Sequence, residues 1–249
     1  MAKKVWLPDA EKVAEFHREL TSLFADEEDP ISPPGIKSEA LLESACQRPS
    51  TAMGRTEKYT SLWTKTAALF HSLVKNHAFH NGNKRTAIVA LLTTLYQNDY
   101  RFSQHIGDDE IFDLALRVTG DRFPSDNAPL ASDQLIDALG AWLSDNTESS
   151  SVALPSMRMT DFLKRCEDAG CSVKSGKKGW VIQNHGKGSV TISKSTQQVS
   201  GNVVKRWLQH LALTASSSGI LGGEFHEGVG GERAEMHRYM AALRRLAKT

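Results

Sequence analysis

The sequence contains few cysteines and no long apolar run, and these two features exclude several classes of protein. The three cysteines among 249 residues form neither a paired set nor a zinc-binding pattern with histidines. We therefore expect Cys46, Cys166 and Cys171 to be reduced thiols, as in the cytosol. Neither an apolar stretch of about 18 residues nor a signal-peptide pattern is present. The sequence thus predicts a soluble cytoplasmic protein and argues against a membrane span.

Charge is nearly balanced overall but is unevenly distributed along the chain. Residues 1–157 contain 15 Lys and Arg against 22 Asp and Glu, whereas residues 158–214 contain 10 against 3. The first part therefore carries a net charge of −7 and the second +7. A basic excess of this size is typical of contact with nucleic acid or another polyanion, although a solvated lysine-rich face explains it equally well.

The pattern of apolar residues predicts an all-α unit over residues 1–146. Asp9 can cap a helix whose apolar residues, from Val13 to Phe24, recur at helical spacing. A polar turn is expected near 51–56. Further helices are expected over about 38–47, 61–76, 84–95, 109–118 and 130–144.

Linker composition follows over residues 147–157, and the pattern changes beyond it. Residues 158–214 predict a small α/β domain with the element order α-β-β-β-α, and residues 215–249 predict a flexible segment and a C-terminal helix. The fold class is therefore multi-domain. The elements of the second domain are expected at 160–168, 171–174, 179–184, 189–193 and 203–211.

The run H-A-F-H-N-G-N-K-R, at residues 77–85, carries the strongest functional signal. A glycine turn leads into an apolar helix, whose N–H groups and positive dipole end can bind a phosphate, and Lys84 and Arg85 add charge. His77 lies just before this turn, and an imidazole can accept a proton from a hydroxyl near neutral pH. The implied chemistry is transfer of a phosphate-containing group to a hydroxyl, whereas a histidine that only caps and packs is the structural alternative.

This run resembles the Fic/Doc (Fido) family motif, H-x-F-x-[D/E]-[G/A]-N-[G/K]-R. The likeness covers about residues 1–145 and includes Gly35-Ile36-Lys37, residues 41–45 and 67–74, Arg48-Pro49 and Asn98-Asp99-Tyr100. The resemblance implies that His77 is the catalytic base. It also implies that the donor phosphates are held by Gly82, Asn83, Lys84 and Arg85.

The residue at position 88 distinguishes two branches of this family. Adenylyl-transferring members have a second arginine there, whereas this chain has Ile88 and the death-on-curing (Doc) pattern over residues 82–88. The resemblance therefore implies a toxin of a toxin–antitoxin or phage-defence system. It would transfer phosphate, rather than AMP, from ATP or another nucleoside triphosphate to a hydroxyl of a protein, such as the translation factor elongation factor Tu.

Asn81 departs from the motif, since the family has an acidic residue that holds a divalent metal there. Mg²⁺ prefers the charged oxygen of a carboxylate to the neutral oxygen of an amide. Three explanations are open: an active variant whose metal is held mainly by the donor, a catalytically inactive protein that binds nucleotide or a partner, and an engineered change that disarms a toxin.

The inhibitory motif of cis-regulated Fic proteins, [S/T]-x-x-x-E-[G/N], is absent from the sequence. Glu227 is the only glutamate followed by Gly or Asn, and Gly223 precedes it by four positions. If the chain is a toxin, we expect a separate antitoxin protein to restrain it.

The second domain resembles, weakly, the folds of HicA-type mRNA interferases and double-stranded-RNA-binding domains. His185 lies at the far end of the second predicted strand, so it is expected to be a turn residue and no RNA cleavage is predicted. The domain could instead recruit RNA, a ribosome-associated target or an acidic partner surface, or its positive charge could dock on the acidic first domain. Trp207 is expected in the core, and candidate contacts are Lys174, Lys177, Lys178, Lys187 and, unless it is a core residue too, Trp180.

Overall fold

The computed structural model describes residues 5–54, 56–125, 130–149, 156–177, 179–213, 225, 236 and 238–249. These residues form two compact units. The larger unit contains the described residues within 7–96, 100–148 and 235–249, and the smaller unit contains those within 1–6, 97–99 and 149–234. Residues 150–155, the central part of the expected linker, lie outside the described residues.

Helices make up most of the larger unit, as the apolar periodicity predicts. Asp9 caps the first helix, because its Oδ1 accepts a hydrogen bond of 2.9 Å from the Lys12 N–H. Ser38 and Ser61 cap the next two helices in the same way. The six helices before residue 149 are α1 (Ala10–Leu23), α2 (Glu39–Gln47), α3 (Leu62–Asn76), α4 (Asn83–Gln97), α5 (Asp108–Thr119) and α6 (Ser132–Asp145).

Helices α3 and α4 form the centre of this unit. Residues 66–74 of α3 and 85–95 of α4 are buried without interruption, and a helix that is apolar on all sides packs against neighbours on all sides. Gly140 of α6 lets that helix approach α3 closely. A Cβ at position 140 would lie 3.1 Å from Thr64 Cγ2 and 3.3 Å from Thr64 Cα.

Short strands modify the all-α prediction for this part of the chain. The polar turn expected near 51–56 is a hairpin of β1 (Ala52–Met53) and β2 (Thr56–Glu57), and β3 (Tyr100–Phe102) pairs with β4 (Thr147–Ser149). Strands of two or three residues show no alternation of polar and apolar positions, so periodicity could not predict them.

The smaller unit has the predicted order of a helix, three strands and a helix. The helices are α7 (Met159–Asp168) and α8 (Gly201–His210). The strands β6 (Ser172–Ser175), β7 (Trp180–Asn184) and β8 (Gly188–Ile192) form an antiparallel sheet in that order. A further pair, β5 (Met157–Arg158) with β9 (Gln198–Val199), was not predicted. Trp207 packs against the core as expected, and Cys166 and Cys171 are buried in it.

The C-terminal residues return to the larger unit. A helix was predicted over 232–247, of which residues 232–235 and 237 lie outside the described residues. The described part contains α9 (Met240–Arg245) and a 3₁₀ turn over Leu246–Lys248. Tyr239, Leu243 and Leu246 are buried, and α9 packs against α5.

All three cysteines are free and buried, in agreement with the prediction of reduced thiols. Burial raises the pKa of the Cys46 thiol to about 12, so Cys46 is a neutral core residue near neutral pH. Within the described parts of the chain, no helix is both long and apolar enough to cross a membrane.

His17 joins three segments of the larger unit. Its Nδ1 lies 3.0 Å from the Thr86 hydroxyl of α4, and its Nε2 accepts a hydrogen bond of 3.1 Å from the Gly35 N–H. Its ring stacks on Phe79, with 4.1 Å between the centroids. Burial, together with the positive charge of Arg85, lowers the pKa of His17 to about 4, so the ring is neutral at pH 7.

We predict that His17 makes the protein sensitive to acid. Its folded-state pKa lies below the unfolded value of about 6.5, so its stabilising effect is complete above pH 6.5 and is lost as the pH falls towards 4. This difference between the folded and unfolded pKa of His17 lowers the unfolding free energy by about 3 kcal/mol at pH 4. Urea denaturation, followed by circular dichroism, should give a smaller pH dependence of the unfolding free energy for His17→Gln than for the wild type.

His105 supplies the matched control, because it is exposed. His105→Gln should leave the pH dependence of the unfolding free energy unchanged. An equal pH dependence in His17→Gln and the wild type would contradict the neutral, buried state of His17.

Candidate active site

His77 lies at the point where α3 ends, and its side chain is exposed. It adopts the left-handed conformation, with φ 48° and ψ 49°, and so ends the helix. Few non-glycine residues adopt this conformation, and histidine is enriched among those that do. The helix end therefore places an imidazole in contact with solvent, directly before the turn that leads into α4.

A segment that precedes α2 holds the loop after His77. The Lys37 N–H donates to the Ala78 carbonyl at 2.8 Å, and the His80 N–H donates to the Gly35 carbonyl at 3.1 Å. Ile36 and Phe79 form an antiparallel bridge between these hydrogen bonds. Phe79 is 3% exposed, so it anchors the loop in the core.

Asn83 anchors the same loop from the start of α4. Its Oδ1 accepts a hydrogen bond from the Phe79 N–H and its Nδ2 donates to the Phe79 carbonyl, both at 2.9 Å. The two bonds use both ends of the amide. The Asn83 side chain therefore fixes the loop, which leaves its main chain and the second N–H of Nδ2 to meet a phosphate.

The Asn81 side chain is also occupied by main-chain groups. Its Oδ1 accepts a hydrogen bond of 2.6 Å from the Gly82 N–H, and its Nδ2 donates to the Ser32 carbonyl at 2.9 Å. The amide thus connects the motif loop to the segment around Ser32. A carboxylate at this position could accept the first bond but could not donate the second.

Gly82 lies beneath Ile31, which belongs to the same segment. Its φ is +73°, and a Cβ at this position would lie 2.9 Å from Ile31 Cδ1. Ile31 is 3% exposed. Glycine is required here both by the backbone conformation and by the side chain that covers it.

The two cations of the motif have different environments. The Arg85 guanidinium is 2% exposed, lies 4.9 Å from the centre of the Phe24 ring, and donates from Nη1 to the Asp29 carbonyl at 3.2 Å. Its Nε has no hydrogen-bond partner among the residues that the structure describes. Lys84 is partly exposed, and its Nζ donates to the Thr249 carbonyl at 2.9 Å. Burial lowers the pKa of both groups.

Donor phosphates fit this arrangement. The positive charge of the buried Arg85 guanidinium, a lysine, and the N–H groups at a helix N-terminus all favour an anion. A protein-bound Mg²⁺ does not fit, because the motif's acidic position holds Asn81, whose amide oxygen is neutral and also accepts the Gly82 N–H. Among the residues that the structure describes, no three or more His, Cys, Asp or Glu side chains are grouped as metal ligands would be.

The roles of His17, Ile31 and Ser32 were not predicted from the sequence. Ile31 and Ser32 belong to a proline-rich segment that follows the first helix. Their contacts with the motif join residues about 50 positions apart, as the separation of 49 between Ser32 and Asn81 shows. A single sequence contains no local signal for such contacts.

The candidate polyanion contacts of the smaller unit do not share one face of its sheet. Lys174 pairs with Val181, and Val181 pairs with Thr191, on an exposed face. Trp180 pairs with the buried Ile192, so Trp180 lies on the core face and is half-buried. Lys177, Lys187 and the turn residue His185 are exposed in loops, and Lys178 lies outside the described residues.

We predict that Gly82→Ala destabilises the protein by about 2–4 kcal/mol, because it adds an overpacked methyl group to an unfavourable φ. Gly54→Ala is the matched control, since Gly54 has φ +62° with nothing within 4 Å of the added Cβ. It should cost about 1 kcal/mol. Urea denaturation measures both free energies of unfolding.

Ile31→Ala should partly relieve the clash, so the double variant should be less destabilised than the sum of the two single variants. Equal costs for Gly82→Ala and Gly54→Ala would contradict the contact with Ile31.

Comparison with known proteins agrees with this geometry. Residues 7–95 match the Fic/DOC family. The protein named Toxin Doc, from Mycolicibacterium smegmatis (strain ATCC 700084 / mc(2)155), is 38% identical over 83 residues. This match covers 33% of the present chain and 64% of the toxin, so the chain spans only part of that relative's length. No solved structure matches the chain.

The exposed histidine, the covered glycine turn and the asparagine-anchored loop all lie within the matched segment. Residues 7–95 are therefore similar to the Fic/DOC family, and part of the chain is similar to a Doc toxin.

Proposed function

We propose that this chain is a Doc-like toxin that transfers a phosphate group from ATP, or another nucleoside triphosphate, to a Ser or Thr hydroxyl of a protein. The observation that carries the proposal is the exposed imidazole of His77, next to the N-terminus of α4. His77 would accept the hydroxyl proton as general base. Elongation factor Tu is the first target to test, and an antitoxin protein is the expected partner.

The donor phosphates would be held by Lys84 and the N–H groups of Gly82, Asn83 and the first turn of α4, with the buried Arg85 guanidinium adding positive charge behind them. In phosphoryl transfer, positioning and electrostatic stabilisation provide most of the rate enhancement, so a set of fixed cations and N–H groups suits the reaction. The proposal assigns no step to a metal, because the residues present do not fit one.

Transfer of phosphate is favoured over transfer of a nucleotide by the position of Ile88. This residue is fully buried in α4, where the adenylyl-transferring pattern has an arginine. The chain therefore supplies no cation at that position for the far end of a triphosphate.

We predict that His77→Ala abolishes transfer, because the variant lacks the base that accepts the hydroxyl proton. His80→Ala is the matched control, since His80 is exposed and binds the loop only through its main chain. The purified chain would be incubated with elongation factor Tu, ATP and Mg²⁺, and the intact mass of the target measured. The mass distinguishes an added phosphate from an added AMP.

Asn81→Asp tests the metal position. A carboxylate would add a ligand for Mg²⁺ but would lose the hydrogen bond to the Ser32 carbonyl. We expect Asn81→Asp to transfer phosphate faster than the wild type when Mg²⁺ is present. We also expect it to lose about 1 kcal/mol in unfolding free energy. If neither the wild type nor Asn81→Asp modifies any target, the enzymatic proposal is wrong and a nucleotide-binding protein without turnover becomes the better account.

We also propose that the smaller unit recruits RNA through the exposed face of its sheet. The favouring observation is Lys174 beside the exposed Val181, in a segment with a net charge of +7. Binding of the full chain to labelled single-stranded RNA should weaken as salt rises, with a log–log slope of about −0.7 per phosphate contact.

The variant Lys174→Ala/Lys177→Ala should weaken binding and reduce this slope. Lys12→Ala/Arg117→Ala removes the same charge from the larger unit. It should change neither the affinity for RNA nor the salt slope. Equal binding by both variants and the wild type would exclude this face as the RNA contact.

A further inference from the structure

The segment Arg238–Thr249, here called the latch segment, is attached to the larger unit at its first half. Tyr239 is fully buried, and its hydroxyl donates to the Ile106 carbonyl at 3.3 Å. The Ala242 N–H donates to the Asp108 carboxylate at 2.6 Å. These contacts fix the start of the segment beside the N-terminus of α5.

The second half of the latch segment is held mainly by charge. Arg244 donates to Glu27 at 2.7 Å, and Lys248 lies 3.1 Å from the Glu28 carboxylate and 3.7 Å from that of Asp29. All of these side chains are at least one-third exposed. Exposed ion pairs are individually weak, so this half can separate from the acidic residues at little cost.

The latch segment ends at the candidate phosphate site. The Lys84 Nζ donates to the Thr249 carbonyl at 2.9 Å, and the Asp29 carbonyl accepts from the buried Arg85. Asp29 is also a partner of Lys248. One short stretch of the latch segment therefore contacts Lys84 directly and contacts the residue that holds Arg85.

We propose that the latch segment is an internal competitor for the donor phosphates, which occupies Lys84 and must separate from residues 27–29 before ATP binds. This inference rests on the proposed function. The Lys84 ammonium donates to a main-chain oxygen of Thr249, and a phosphate that displaces this oxygen forms a stronger bond because it carries a larger negative charge. Binding and latch release are therefore coupled, and the apparent affinity for ATP equals the intrinsic affinity multiplied by the fraction of molecules in the open state.

The latch differs from the inhibitory helix whose sequence motif is absent here. It uses a main-chain oxygen against a phosphate-binding lysine, and it is closed by ion pairs. Glu227, the only glutamate that partly resembles the missing motif, lies outside the described residues.

Arg244→Glu is the decisive variant, because it removes a positive charge from a protein that must bind an anion. Simple electrostatics predicts weaker ATP binding, whereas an opened latch predicts binding that is about fivefold tighter. Calorimetric titration of the full chain with ATP measures this change. Glu27→Arg should also tighten binding, and Arg244→Glu/Glu27→Arg should restore wild-type affinity, since it rebuilds the pair with the charges exchanged.

Lys12→Glu is the matched control, because it reverses a charge in an exposed pair with Glu15 on α1. It should leave ATP affinity unchanged. Lys84→Gln should weaken ATP binding in every background, since it removes the cation for which the latch and the donor compete.

The reactivity of Lys84 towards an acetylating reagent reports latch opening without any nucleotide. Peptide mass spectrometry should show low labelling in the wild type, higher labelling in Arg244→Glu and low labelling again in the charge-exchanged variant. If Lys84 labelling rises while ATP affinity stays equal to wild type, or if labelling does not rise, the latch is refuted and the proposed function stands. If no variant binds ATP although labelling rises, the proposed function fails, and the inference fails with it.

Discussion

The orientation of the exposed histidine depends on two hydrogen bonds between one amide side chain and the main chain of one residue. Asn83 binds both the N–H and the carbonyl of Phe79, and so joins the start of α4 to the loop that α3 delivers. The loop is buried at Phe79 and exposed at His77. Because Phe79 also stacks on the neutral His17, the acid–base state of a core histidine is linked to the loop that carries the candidate base.

Much of the fold follows from local signals in the sequence. The periodicity of apolar residues and the caps at Asp9, Ser38 and Ser61 gave the helices of the larger unit and the order of elements in the smaller one. The two-residue strands were missed, because strands this short carry no period. The element against which the last helix packs is a non-local property that the sequence could not show: it is α5, more than 100 residues earlier in the chain.

The candidate site was predictable in composition but not in arrangement. The motif identified His77, Lys84 and Arg85 from one continuous run, and such a run is visible in a single sequence. It could not show that Ile31 covers Gly82, that Asn81 binds Ser32, or that Thr249 meets Lys84. These contacts come from segments whose own residues, such as the acidic and proline-rich stretch after α1, are typical of solvent-exposed loops.

Helices α3 and α6 approach closely at Gly140, and this contact fixes the direction of α3, which ends at His77. Thr64 and His77 are 13 residues apart, which is about 20 Å along a helix. A tilt of about 5° at the contact with Gly140 would therefore move the imidazole by about 1.7 Å, and errors of this size are large compared with the tolerance of proton transfer. The small size of Gly140, which is far from the candidate site, thus influences where the His77 imidazole lies.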